Sequence, residues 1–426
     1  MNEYAVLIRT NRNFRLLWLG NVVSLAGDWF NLIASAQLIA ELKGTGIAVS
    51  YLFLARFLPL FLFSPLAGVL ADRYSRRGIM IITDLLRAMT VLGFLVVRSP
   101  DQVWILYVLT ILQFALSALF TPARSAFLAN IVAQEDLVTA NALDSLTWST
   151  MLAIGAFLGG VVAAVLGGKT AFVLDAVTYL ASALLIRLIV APRLKDGGIE
   201  QGGWLDFLDG LRYLKFDLFI LGISLVKGAG SLIWGAINVL EVKFANEIFT
   251  AHHPFIQQYL HIQDSGAATL GMIYVVSGLG TGLGPLLMRR WLGDAPTRLL
   301  FGITIGFGLM AAGILGLGAA PTFTLLLLAT LARTVGTGTL WVFSAALLQT
   351  VVPDRFRGRV FAFEFAVLTM TQSLSIFWAG SALDHFALPA QRVATLMGAA
   401  GLVVTGGWIL FYLSHLPAVR QQAEEA

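Results

Sequence analysis

The chain has no cysteine among its 426 residues, which excludes disulfides, thiol nucleophiles and thiolate metal sites. Charge is scarce as well. Only 12% of residues are Asp, Glu, Lys or Arg, against about 25% in a soluble domain. Histidine occurs five times. Four of the five lie in polar loops and His415 ends the last apolar run, so no Ser-His-Asp arrangement is available. The spacing of His252, His253, His261 and Asp264 matches no metal pattern and reads as a solvated loop. Gly278 to Gly284 alternates glycine with other residues, but it has no preceding strand and no adjacent Lys-Ser or Lys-Thr. It reads as close helix packing rather than a phosphate loop. Neither an enzyme nor a cofactor is expected. The net charge of +4 requires no nucleic acid.

What is abundant is apolar sequence, 58% of the chain, with a mean hydropathy of +0.82. Twelve runs are each about 20 residues or longer, the length that crosses a bilayer as a helix. They cover roughly 15–40, 46–68, 78–97, 103–124, 138–166, 170–190, 217–240, 267–288, 298–319, 322–346, 359–382 and 392–415. The first is too long for a signal-peptide core and reads as a retained helix. With residue 1 inside, nineteen basic residues fall on the cytoplasmic side and five outside, so both termini are expected in the cytoplasm. The expected fold is therefore an all-α membrane protein of twelve transmembrane helices.

The longest polar break, 191–216, divides these into an N-terminal bundle (1–190) and a C-terminal bundle (217–415), followed by a cytoplasmic tail (416–426). The halves echo one another. Gly284-Pro285-Leu286-Leu287-Met288-Arg289 repeats the Gly68–Arg73 segment, and Ala346–Val352 resembles Ala126–Val132 at nearly the same offset along the chain. Two pseudo-symmetric six-helix bundles with substrate bound between them is a transporter plan.

Between the second and third runs lies Gly68-Val69-Leu70-Ala71-Asp72-Arg73-Tyr74-Ser75-Arg76-Arg77. It reads as a tight basic turn facing cytoplasm, with Gly68 allowing close helix approach and Asp72 a lone acid among arginines. This decade resembles the signature loop of the major facilitator superfamily, G-x-L-a-D-r-x-G-r-k, with Ser75 where the family has Gly. The resemblance implies that Asp72, with Arg73, Arg76 and Arg77, forms a cytoplasmic latch that meets the start of the eleventh run (359–382) and steadies the outward-open state. Arg355, Arg357, Arg359 and Glu364 are expected to join it. Leu25–Trp29, Arg56–Pro59, Pro122–Ala126 and Val352–Val360 extend the likeness to the exporter branch that includes macrolide-efflux and enterobactin-exporter-like proteins. Gly155-Ala156-Phe157-Leu158-Gly159-Gly160 resembles the end of the antiporter motif, G-P-x-x-G-G, with Ala156 in place of proline and Met151 in place of the upstream glycine. Small residues so spaced also serve plain helix packing.

An ionisable group in hydrocarbon is costly unless paired or hydrated, so each is a functional candidate. Asp28 lies about 13 residues into the first run, near mid-membrane at about 1.5 Å per residue. It is the leading proton carrier or acid for a cationic substrate; the alternative is a structural ion pair with Arg56. Asp84 and Arg87 share one helical face, either as a structural pair or as a proton site tuned by the arginine. Asp175 is expected near the outer interface. Arg56, Lys227 and Arg333 all reach about the midplane. They would suit an anionic or zwitterionic substrate, or Arg56 neutralises Asp28 and Lys227 caps a backbone break near Gly228. Glu364 is expected to meet Arg359 at the gate, and Trp29, Trp234 and Trp341 to line an aromatic-walled cavity.

The resulting expectation is a monomeric secondary transporter of a bacterial inner membrane. It would export an amphipathic drug or siderophore-like metabolite by proton antiport and rocker-switch alternating access, with the proton gradient as its energy source. The alternatives are a lipid or lysolipid flippase, an uncoupled facilitator, or a non-transporting membrane sensor or scaffold.

Overall fold

A computed structural model describes residues 3–133, 136–190, 214–215, 217–249, 265–293 and 295–425, with backbone only at 64–73, 138, 142, 145, 149, 354, 355, 358 and 418–425. The expected linker 191–216, apart from 214–215, and the histidine-containing loop lie outside these residues. Among them every regular element is helical, as hydrocarbon demands when each backbone N–H and C=O must be bonded within its own segment. A short helix α1 (Glu3–Thr10) precedes α2 (Arg12–Leu42), α3 (Gly46–Arg73), α4 (Arg76–Gly93), α5 (Val103–Ile131), α6 (Leu137–Leu166) and α7 (Gly168–Arg187). Then come α8 (Leu218–Ser224) and α9 (Val226–Lys243), α10 (Ser265–Leu292), α11 (Pro296–Ala319), α12 (Phe323–Val351), α13 (Asp354–Asp384) and α14 (Ala390–Glu425). Among the described residues, twelve segments are long and apolar enough to cross a membrane, α8 and α9 jointly supplying one of them. The expected tail continues α14 as helix to Glu425.

Local chemistry sets the helix ends. The Asn11 side chain accepts from Phe14 N–H at 2.9 Å and donates to the Ile131 carbonyl at 2.8 Å, capping α2 and tying it to the end of α5. The Gly68–Arg77 segment is not a tight turn throughout. The α3 helix runs through Arg73, and Ser75, at φ −58 and ψ 112, caps α4 by accepting from Gly78 N–H at 3.3 Å. Nothing there needs the left-handed backbone that favours glycine, whereas Gly167, between α6 and α7, has φ +81.

The chain divides into two compact units. The first comprises Met1–Gly44, Leu54–Gly203 and Thr250–Val275, and the second Thr45–Phe53, Trp204–Phe249 and Val276–Ala426. The division therefore departs from the 1–190 and 217–415 bundles in two places, and small residues explain both. In unit two the start of α3 packs on the end of α13. Asp384 accepts from the N–H groups of Gly46 (3.0 Å) and Ile47 (2.6 Å), and the Ser50 hydroxyl donates to the Ile376 carbonyl at 2.9 Å. In unit one the start of α10 packs on α6, where a Cβ at Gly160 would stand 2.8 Å from Gly271 Cα.

Within unit one, α2 packs on α6 and α7, and α4 on α5 and α7, around Phe14, Leu17, Met80, Phe120, Phe127 and Ile186. Within unit two, α9 packs on α13, and α11 on α12 and α14. The sequence echo has a structural counterpart. α5 and α12 are equally long, each spanning 29 residues, and each closes on a valine in extended backbone. Val132 N–H donates to Leu128 C=O (3.2 Å) and Val352 N–H to Leu348 C=O (3.0 Å), the same contact at matching places in the repeat.

Candidate functional site

Unit one brings five ionisable side chains from four helices together with a tyrosine. Asp28 on α2 is half-buried and its Oδ1 accepts from the hydroxyl of Tyr179 on α7 at 2.5 Å. That hydroxyl in turn accepts from the Gln113 amide on α5 at 2.9 Å. The guanidinium of Arg87 on α4 lies over the Tyr179 ring at 4.6 Å and the Phe120 ring at 4.4 Å, and it is paired with Asp84. Both members of that pair are buried. Arg56 on α3 stacks over Phe114 at 4.5 Å, a contact that grows stronger where water is excluded. Asp175, one turn before Tyr179 on the same face of α7, is 0% exposed and lies against the α2 backbone at Gly27.

Two expectations change here. Arg56 and Asp28 lie within charge range of one another, but they form no ion pair: Asp28 takes Tyr179 and Arg56 takes an aromatic face. Asp175, expected near the outer interface from its position along the helix, is fully buried within the unit, because α2 crosses α7 at that height through Gly27, whose missing side chain admits the carboxylate. Among the described residues, three carboxylates therefore share this cluster with two guanidiniums, and buried Asp175 Oδ2 and Arg56 Nη1 have no hydrogen-bond partner.

In unit two the intramembrane cations are paired. Lys227, two residues after the α8–α9 break at Leu225, donates to Glu364 Oε2 on α13 at 2.9 Å and sits 4.6 Å from the Trp341 ring. Glu364 is thus bound to Lys227 inside the unit instead of meeting Arg359, and Lys227 makes a side-chain pair instead of a backbone cap. Around it, Thr371 donates to the Gly228 carbonyl at 2.9 Å, and the hydroxyls of Ser231 and Thr371 lie 2.6 Å apart. Arg333 on α12 donates to Glu241 on α9 at 2.6 Å and to the Ser277 hydroxyl at 3.3 Å. Each cation here has its own acid, so the pair Lys227 and Arg333 does not present free positive charge.

The remaining expected residues divide among other tasks. Gly155 and Gly159 pack against Trp29, and Gly160 against Gly271, so the antiporter-like glycines serve helix contact. Trp29 also meets Tyr274 with ring centroids 5.3 Å apart. Trp234 folds over Gly230, and Trp341 is 45% exposed above Lys227. Arg76 donates to the Ala126 carbonyl at 3.2 Å, and Arg77 to the carbonyls of Ile186 (3.3 Å) and Arg187. Arg357 donates to the Gln349 carbonyl at 2.8 Å, and Arg359 stacks at 5.7 Å on Phe356. Arg76, Arg77 and Arg357 thus meet backbone carbonyls toward the C-terminal ends of neighbouring helices, where cations are favoured. Gly68, Asp72, Arg73 and Arg355 have side-chain surroundings outside the described residues.

Sequence reasoning missed Tyr179, Gln113 and Glu241 altogether, and it missed Arg124–Asp144, an ion pair at 2.6 Å between α5 and α6. A repeat-based signal existed for one of them. Asp144 precedes Glu364 by the same offset that separates Ala126–Val132 from Ala346–Val352.

The profile of the Major Facilitator Superfamily matches residues 17–379. The chain belongs to the major facilitator superfamily. Curated relatives include the uncharacterized MFS-type transporter YfiS of Bacillus subtilis (strain 168), 26% identical over 384 residues covering 88% of this chain and 87% of the relative. The putative bacilysin exporter BacE of the same strain is 26% identical over 66% of each chain. Macrolide efflux protein A of Streptococcus pyogenes is 22% identical over 85% of this chain and 87% of its own. Among solved structures, the nucleoside transporter NupG superposes with a TM-score of 0.70 at 14% identity, covering 97% of this chain and 99% of that one. At that identity the likeness concerns the fold alone. This member of the superfamily is a multi-pass membrane transporter whose relatives include efflux proteins.

Proposed function

We propose that the chain exports amphipathic small molecules, a drug or a siderophore-like metabolite, by exchange for protons that return inward. The observation that carries this reading is the charge imbalance of the unit-one cluster among the described residues: Asp28, Asp84 and Asp175 against Arg56 and Arg87, with Arg87 already committed to Asp84. A cluster shielded from water neutralises a surplus carboxylate by taking up a proton or a cationic group. Exchange between those two occupants is the chemistry of antiport. Asp28, half-buried and held by Tyr179, is the residue that meets incoming substrate. In unit two the intramembrane Lys227 and Arg333 are each paired with a glutamate, so neither competes as a free charge. The superfamily's alternating access, with Asp72 and the neighbouring arginines as the cytoplasmic latch, completes the cycle. The excess of basic residues on one side supports a bacterial cytoplasmic membrane location with both termini inside.

The test is dye or drug efflux from proteoliposomes under an imposed pH gradient. Wild type is expected to follow the gradient and Asp28→Asn to lose at least about 90% of the driven flux, a tenfold change equal to about 1.4 kcal/mol. Equal flux with and without the gradient would instead favour an uncoupled facilitator or a lipid flippase. One observation supports that second reading. A cavity of about 460 Å³ in unit two is lined by exposed Leu232, Leu374, Phe377 and Trp378, an apolar surface suited to an acyl chain.

A further inference from the structure

Export as proposed uses Asp28 and leaves Asp175 without a task. Asp175 is 0% exposed, its Oδ2 has no hydrogen-bond partner among the described residues, and its Oδ1 sits 3.4 Å from the Thr178 hydroxyl. A Cβ at Gly27, the residue before Asp28, would collide with Asp175 and Thr178, so the Asp175 carboxylate lies within a turn of Asp28. Tyr179, four residues on from Asp175 and therefore on the same face of α7, donates to Asp28. Besides Thr178 and Tyr179 on its own helix, the charged and polar groups facing Asp175 include Asp28 and Asn31 from α2, Arg56 from α3 and Arg87 from α4. Arg87 is taken by Asp84. Among the described residues Arg56 is therefore the one guanidinium left for two carboxylates, one half-buried and one fully buried, and a single negative charge remains to be neutralised.

We propose that Asp28 and Asp175 form one shared proton site, with Asp28 as its accessible seat and Asp175 as its buried seat. A proton arriving from the aqueous side meets Asp28 and passes to Asp175. Asp28 is then ionised and free to receive the substrate, and the proton returns by the reverse transfer. Uptake forms the Asp28 O–H bond as a hydronium O–H bond breaks, and it raises the cluster's charge by one. In the transfer between the two seats one carboxyl O–H bond breaks as the other forms, and the charge is unchanged. Release to water reverses the uptake. Tyr179 is a positioning residue, holding the Asp28 carboxylate toward α7 through its hydroxyl. The assignment rests on the proton-coupled reading for its use in transport, but the shared site itself is observable without transport.

The experiment is infrared difference spectroscopy of the reconstituted full chain between acidic and alkaline buffer, with neither substrate nor gradient. It follows the C=O stretch of protonated carboxyls in wild type, Asp175→Asn and Asp28→Asn. Asp175→Asn is expected to lose one carboxylic-acid band. In Asp28→Asn the Asp175 band is expected to persist with its titration midpoint displaced by about one pH unit or more, the mark of two coupled sites. A difference spectrum unchanged by Asp175→Asn, or an Asp175 band whose midpoint ignores Asp28→Asn, overturns the proposal. Should Asp175→Asn fail to fold, the Asp28→Asn spectrum alone decides. A coupled pair of bands together with gradient-independent efflux would remove the antiport reading and leave the site standing. Gradient-driven efflux without coupled bands would do the reverse.

Discussion

Lys227 and Glu364 show what a buried pair does to a single residue's substitution. Their side chains are 7% and 4% exposed, and the ammonium also lies against Trp341. Taking either charge away strands the other in a low-dielectric site, which costs about 3–5 kcal/mol, whereas replacing both by apolar or neutral groups of similar volume is often close to neutral. Lys227→Met and Glu364→Gln are each expected to lower the thermal unfolding midpoint in detergent strongly. The double variant is expected to recover to within ~1 kcal/mol of wild type, a coupling read directly from the double-mutant cycle. Additive losses would show that the two groups do not act as a pair. The same physics separates what was legible in the residues from what was not. Asp28 could be found by counting along one helix. The burial of Asp175 could not be read, because depth along a helix does not give exposure; it depends on α2 passing close at Gly27. Nor could the partners of Lys227 and Arg333 be read, since Glu364 is 137 positions from one and Glu241 is 92 from the other.

Helix ends are decided by a few polar atoms, and Ser75 is the instructive one. Where the superfamily loop carries glycine, this chain starts α4 with a hydroxyl that accepts from Gly78 N–H. Ser75→Ala is expected to lower stability by about 1 kcal/mol and Ser75→Gly by only a few tenths. Equal losses in denaturant or thermal unfolding would mean the cap contributes nothing. The arginines around it act on elements too. Arg76 and Arg77 reach the carbonyl ends of α5 and α7, and Arg357 that of α12, so each joins a helix start to another helix's end. This explains why basic residues recur in these turns beyond what orientation in the membrane requires. The antiporter-like glycines belong to the same scale. Gly160 and Gly271 let α6 and α10 touch backbone to backbone, a contact that any side chain would pry open.

The whole molecule carries its expected orientation in the distribution of lysine and arginine. A fluorescent protein fused after Ala426 is expected to mature and fluoresce, and a periplasm-dependent phosphatase at the same point to stay inactive; the opposite pattern would invert the topology. Two units with different electrostatics emerge from one duplicated plan. α5 and α12 end alike, yet the intramembrane cluster of unit one keeps a surplus acid among the described residues and unit two pairs its intramembrane lysine and arginine with glutamates. On the proposed reading, proton chemistry belongs to unit one.

The sequence by itself determined the class, the twelve helices and the superfamily. Apolar runs of membrane-spanning length and buried backbone polarity leave helices as the solution for such a chain, and the loop motif is local enough to be read in order. Tertiary structure alone decided which charges meet. Tyr179 with Asp28, Lys227 with Glu364 and Arg333 with Glu241 join residues on different helices, 151, 137 and 92 positions apart. No period within one helix records which face a distant helix will present, so the surplus carboxylate of unit one became visible only once the helices were packed.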